Sequence, residues 1–167
     1  MRALAVILVL LSGVSGVSAN YAFAQDSTSP QSSAVCAFED GREVSIRYNP
    51  VYKGSELPRG KVWPEGPSMF LFTATDLTLG GSTIPAGAYS VYVIPGKDKW
   101  TLIVNKDVTP GNKYDEKQDL ARGPMETGEV SEPTKDVHIA IAHMAAKKCT
   151  MNFYFGKVGA FGDFLQK

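Results

Sequence analysis

Apolar and polar residues alternate along this chain in short runs separated by Gly, Pro and Asp. From Lys147 to Phe155, Cys149, Met151, Phe153 and Phe155 fall on one side, and Lys148, Thr150, Asn152 and Tyr154 on the other. That period of two belongs to a half-buried strand. Glu43 to Tyr48 repeats it, with Val44, Ile46 and Tyr48 opposite Glu43, Ser45 and Arg47. Together with Val35 to Phe38 it flanks Glu39-Asp40-Gly41-Arg42, and Asp-Gly between alternating runs is a hairpin signal. Val137 to His143 places Val137, Ile139 and Ile141 on one side.

The stretch from Leu77 to Asp107 packs three strand-like runs between sharp turns at Gly80-Gly81-Ser82 and Pro95-Gly96-Lys97-Asp98. Tyr89 to Ile94 is apolar on both faces except at Ser90, as in a central strand, and Trp100 to Asn105 returns beside it. This predicts an antiparallel hairpin through Pro95 to Asp98. Pro85 and Pro95 lack an N–H and belong at strand ends. Met69 to Thr75 and Asp76 to Leu79 also read as strands, and Asn49 to Pro67 as a long irregular connection. Tyr114 to Arg122 fits a short helix or a strand, and the residues after Gly156 a single helical turn or a loose end. The sum is seven to nine short strands in an all-β antiparallel sandwich or partly closed barrel. No ten-residue helical pattern alternates with the strands, which disfavours a βαβ fold.

The N-terminus changes the setting. Arg2 precedes an apolar run from Ala3 to Leu11, too short to span a bilayer as a helix, and Ala22-Phe23-Ala24 forms a small-x-small cleavage signature. Val17-Ser18-Ala19 is a second candidate. We read residues 1–24 as a signal peptide, 25–34 as a flexible tether and 35–167 as one β domain. No cysteine sits just after the apolar run, so a lipid anchor is not expected. The expected location is periplasmic or secreted, with no membrane insertion after cleavage.

Charge points to no partner. The chain has 17 basic and 17 acidic residues, and removing Arg2 leaves 16 against 17. There is no basic stripe for nucleic acid and no cationic amphipathic helix for a membrane surface.

Candidate chemistry is sparse. His138 and His143 are five apart, which on a regular strand points them to opposite faces, so no metal centre is expected from them even with Asp115 or Asp119 as a third ligand. Gly80-Gly81-Ser82-Thr83 lacks the spacing and lysine of a phosphate loop. No G-x-S-x-G or H-E-x-x-H motif occurs, so no catalytic residue and no cofactor is assigned. Tyr114, Asp115, Asp119 and Arg122 form the densest polar cluster, either a ligand-gripping set or a surface ion pair. Trp63 lies in the Pro-rich connection, where binding residues collect, and is a candidate aromatic platform or a lid over a sandwich end. As a platform, Trp63→Ala would impair binding more than stability. Trp100 is in phase with Leu102 and Val104 and reads as core. Cys36 and Cys149 are the two cysteines, each on an apolar strand face, and export to an oxidising compartment predicts a disulfide between them.

Several segments recur together in one family. They are Cys36-Ala37-Phe38-Glu39-Asp40-Gly41, Gly60-Lys61-Val62-Trp63, Ile84-Pro85-Ala86-Gly87-Ala88-Tyr89-Ser90, Ile94 to Thr101, and Ile103 to Asp107. In these the chain resembles the exported bacterial proteins of the domain of unknown function 2911 family, over nearly the whole mature domain. The resemblance implies an extracytoplasmic β-rich domain and no assigned activity. One departure stands out. Family members tend to follow Val-Trp with Arg-Thr-Gly-Ala-Asn, whereas here Trp63 is followed by Pro64, Glu65, Gly66, Pro67 and Ser68.

The function expected from these features is a non-catalytic binding module for a small molecule, a glycan or an envelope protein. The alternatives are a hydrolase-like enzyme using carboxylates such as Asp115 and Asp119, and a purely structural envelope protein.

Overall fold

The computed structural model describes residues 31–167, so the segment read as a signal peptide and most of that read as a tether lie outside the described residues. Its strands are β1 (Ser32–Ala37), β2 (Glu43–Tyr48), β3 (Met69–Thr73), β4 (Leu77–Leu79), β5 (Ser82–Ile84), β6 (Gly87–Ile94), β7 (Lys99–Asn105), β8 (Asp119–Ala145) and β9 (Lys148–Gln166). All pairings between them are antiparallel, in one nine-stranded sheet of order β1-β2-β3-β6-β7-β8-β9-β4-β5. The sheet does not close into a barrel. Among the described residues no helix is long and apolar enough to cross a membrane.

The alternating pattern sets the register. Val44, Ile46 and Tyr48 are buried on one face of β2, and Cys36 and Ala34 of β1 lie opposite Val44 and Ile46. Strand β1 starts at Ser32, inside the stretch read as tether, because Ser32 and Ser33 still pair with Tyr48 and Arg47. Gly41 takes the positive φ (81°) that the Asp-Gly turn requires. The hairpin of β6 and β7 forms as expected, with Val91 opposite Val104 and Val93 opposite Leu102. Residues 116–118 make a single 3₁₀ turn, and the chain then enters β8 at Asp119, so the ambiguous segment is mostly strand.

The residues after Gly156 correct the expectation of a loose or helical end, because they continue β9 to Gln166. Ala160, Gly162, Phe164 and Gln166 alternate inward, a period-two pattern diluted in the sequence by three glycines. Strand β9 also doubles back on itself. The Gln166 N–H donates to the Lys147 carbonyl (2.8 Å), Thr150 Oγ1 donates to Asp163 (2.6 Å), and the rings of Tyr154 and Phe161 meet at 6.0 Å. The turn falls at Gly156, whose φ is +60°. Strand β8 bends in step. Its ladder with β9 shifts register between Glu129 and Thr134, around Pro133, which has no N–H to give.

This bent arm folds over the face of β1 and β2 and makes the structure sandwich-like. The Ile139 N–H donates to Tyr48 Oη (2.9 Å), and the Val137 N–H donates to the Pro50 carbonyl (2.8 Å). Between the layers lie Leu71, Val93, Leu102, Met125, Met151, Phe153 and Phe164, all buried. The expected disulfide is present and joins Cys36 in β1 to Cys149 in β9, with Cα atoms 6.3 Å apart. At the same end, Gln166 Nε2 donates to Asp40 Oδ2 (2.7 Å) and the Lys167 N–H donates to the Asp76 carbonyl (3.0 Å), which pins the C-terminus.

Candidate functional site

The structure brings Tyr114, Asp119 and Arg122 together as the sequence suggested. Tyr114 Oη donates to Asp119 Oδ2 (2.7 Å), Arg122 Nε donates to the same oxygen (2.7 Å), and Arg122 Nη2 reaches both Tyr114 Oη (2.8 Å) and Glu116 (3.0 Å). The buried Asn105, unremarked in the sequence, completes the network. Its Nδ2 donates to Asp119 Oδ1 (2.7 Å) and to the Asp115 carbonyl (2.9 Å), and its Oδ1 accepts the Asp107 N–H (2.9 Å). The Asp115 carboxylate does not join. It accepts the Lys117 N–H (3.0 Å) and caps the 3₁₀ turn. Both oxygens of Asp119 are therefore committed, and the side chain is only 11% exposed. Such a satisfied set fixes the 107–119 connection against β7 and β8 and leaves no free base.

Burial pushes the Tyr114 hydroxyl above its ordinary range, helped by donation to Asp119 and by that carboxylate's charge. The raised folded value fixes the sign of the pH effect. The contribution is complete below the unfolded tyrosine value of about 10 and is lost as pH climbs through the folded one. In an alkaline titration followed by tyrosinate absorbance, we expect a late-ionising fraction that loses one equivalent in Tyr114→Phe. An unchanged late fraction in that variant would show that the network does not form in solution.

The other cluster is aromatic. Trp63 stacks edge-on to Tyr52 (5.3 Å between centroids) and to Phe153 (5.8 Å). Tyr52 meets Phe155 (5.4 Å), and Trp100 meets Phe153 (5.6 Å). Trp63 also pairs with Val93 through two backbone hydrogen bonds of 2.8 Å, and its bond to Pro64 is cis. It is 9% exposed. The Pro-rich connection is thus a strap tied to β6, and Trp63 lies in the core beneath it.

Above this cluster opens a cleft of about 280 Å³, between the strap at 55–59, the β6–β7 turn at 95–97 and the bend of β9 at 155–158. Leu57, Trp100 and Phe155 supply apolar floor, and three cations, Arg59, Lys97 and Lys157, stand around it against one carboxylate, Glu56. Among the described residues none of these three cations is in an ion pair. The walls are held in place. The Gly60 N–H donates to the Pro95 carbonyl (2.7 Å), and Tyr52 Oη donates to the Glu56 carbonyl (3.2 Å). A Cβ at Gly96 would collide with the Lys99 carbonyl, so that turn needs glycine.

Sequence reasoning passed over Arg59, Lys97 and Lys157. The available signal was a lysine directly after the glycine in two turns, Pro95-Gly96-Lys97 and Gly156-Lys157, but nothing in the one-dimensional pattern says that these turns face each other. His138 stacks on Tyr154 (6.0 Å), whereas His143 Nδ1 lies 2.9 Å from the Ala37 carbonyl.

No curated protein and no solved structure matches the chain. A family model does, over residues 29–161. That span contains the aromatic strap, the polar network and both cysteines, and through it the chain belongs to the family described as "Protein of unknown function (DUF2911)".

Proposed function

We propose that the chain is an exported, extracytoplasmic binding module without catalytic activity, which takes a small anionic ligand with an apolar or aromatic part in the cleft between the strap, the β6–β7 turn and the β9 bend. In this reading residues 1–24 are a signal peptide, 25–34 a tether and 35–167 the β domain. The observation that carries it is the cleft itself: an apolar floor of Leu57, Trp100 and Phe155 beneath Arg59, Lys97 and Lys157, which have no ion-pair partner among the described residues. Concave sites of this kind combine apolar area with a few polar groups that orient the ligand. The enzyme reading has less support, because the carboxylates that suggested it serve the Asp119 network and the Asp115 cap.

The test uses protein recovered from the exported fraction, whose N-terminus is read by mass spectrometry and is expected at or near Gln25. A chain still starting at Met1 in the membrane would remove the export half of the proposal. Amide NMR shifts are then followed on titration with benzoate. The expected result is perturbation confined to Leu57, Gly96, Gly156 and their neighbours, with affinity falling roughly five- to tenfold in Arg59→Glu/Lys97→Glu, since exposed charge contacts contribute up to about 1 kcal/mol each. Diffuse shifts, or unchanged affinity in the double variant, would overturn the binding half.

A further inference from the structure

We propose that reduction of the Cys36–Cys149 bond turns its surroundings into a zinc(II) site, with Cys36, Cys149 and His143 as ligands. The two sulfurs and a ring nitrogen of His143 all lie within 4.8 Å of one another. A tetrahedral zinc with bonds of 2.0–2.3 Å places its ligand atoms about 3.3–3.8 Å apart. The sulfurs must therefore separate from bonding distance, and the imidazole must close by about 1.5 Å at most, shifts within reach of side-chain rotation.

The fold explains why these three residues meet. His143 and Cys149 are directly opposed in the β8–β9 ladder, and β1 lays Cys36 over them. The ladder keeps regular register from His138 to His143, so alternation puts His143 on the face of Ile139 and Ile141, opposite Cys149, while His138 falls on the other face and stays with Tyr154. His143 also has the outer partner that a metal-binding imidazole usually has. The Ala37 carbonyl 2.9 Å from Nδ1 can only accept, so Nδ1 carries the proton and Nε2 keeps its lone pair for a metal. The ring is exposed, which gives an ion a route to two otherwise buried sulfurs. Two thiolates and an imidazole suit zinc rather than magnesium or calcium, and water would fill the fourth position.

The chemistry balances with a dithiol reductant. The reductant gives two electrons and two protons to the disulfide and becomes a disulfide itself. Zinc then displaces the two thiol protons. In the oxidised protein β1 is latched to β9 covalently, and in the reduced protein the metal holds the same two strands together.

The test takes the mature protein reduced anaerobically with a phosphine and titrates it with cobalt(II), then displaces the cobalt with zinc(II). One equivalent of cobalt should give a thiolate-to-metal charge-transfer band with release of two protons, and the oxidised protein should give none. His143→Gln should weaken cobalt binding at least tenfold while melting with wild type in the oxidised state. Zinc should raise the melting temperature of the reduced wild type, or restore its far-ultraviolet dichroism if reduction has unfolded it. Absence of the band overturns the proposal. So does a band of equal affinity in His143→Gln, which would mean that the thiols bind without the imidazole.

Discussion

Removing the Cys36–Cys149 bridge in Cys36→Ser/Cys149→Ser is expected to cost about 5 kcal/mol of stability in metal-free buffer. The bridge closes a loop across 113 residues of sequence. In the chain-entropy model such a loop withholds about 16 cal/mol/K from the unfolded ensemble, or about 4.8 kcal/mol at 25 °C. Total stabilities run at about 5–15 kcal/mol, so the loss is a third of the whole or more. For a domain of this size it corresponds to a melting temperature lower by roughly 15 °C. The native packing at the junction survives the substitution, because Tyr48 still bonds Ile139 and the Val137 N–H still reaches Pro50. The variant should therefore fold and unfold cooperatively with a lower midpoint. Urea unfolding of the variant beside the oxidised wild type measures the difference. A change below about 1 kcal/mol would show that the unfolded chain is already as compact without the bridge, contrary to the loop-entropy account.

The bridge was legible in the sequence because two independent signals agreed: an N-terminal stretch read as an export leader and two cysteines each in phase with apolar neighbours. The hairpins of β1 with β2 and of β6 with β7 were legible for a similar reason, since turn residues and period-two runs fixed both ends. The second half of β9 was not. Gly156, Gly159 and Gly162 dilute the apolar alternation there, and the strand holds because it pairs with β8, lies against its own first half and meets β4 at its end. That is tertiary support, which a local pattern cannot carry. The bend of β8 at Pro133 was hidden for the same reason. Of the proposed site residues, Tyr114, Asp119 and Arg122 were found because they are close in sequence. Asn105, which completes their network, comes from another strand and bore no local mark. The cleft draws on three separate segments, and its cations became visible only when the fold placed those segments side by side.

Trp63→Ala should cost roughly 4 kcal/mol of stability. The Pro- and Gly-rich connection around Trp63 left an aromatic platform and a lid over a sandwich end both open to a local reading. Yet the strap is tied to β6 by paired hydrogen bonds between Trp63 and Val93, which drive the indole beneath it. Truncating a buried Phe or Trp to Ala costs about 3–5 kcal/mol, because the transfer energy is lost and a cavity remains. Edge-to-face contacts with Tyr52 and Phe153 add about 0.5–1.5 kcal/mol each to what the ring supplies. Trp63→Phe keeps an aromatic ring in the slot and should lose clearly less than Trp63→Ala. Neither change touches the backbone bonds to Val93, so the strap should stay docked and the deficit should come from the core. Thermal melting of both variants beside wild type decides it. If Trp63→Ala melts within a degree or two of wild type and loses benzoate affinity instead, the indole faces the cleft in solution and the buried placement is wrong.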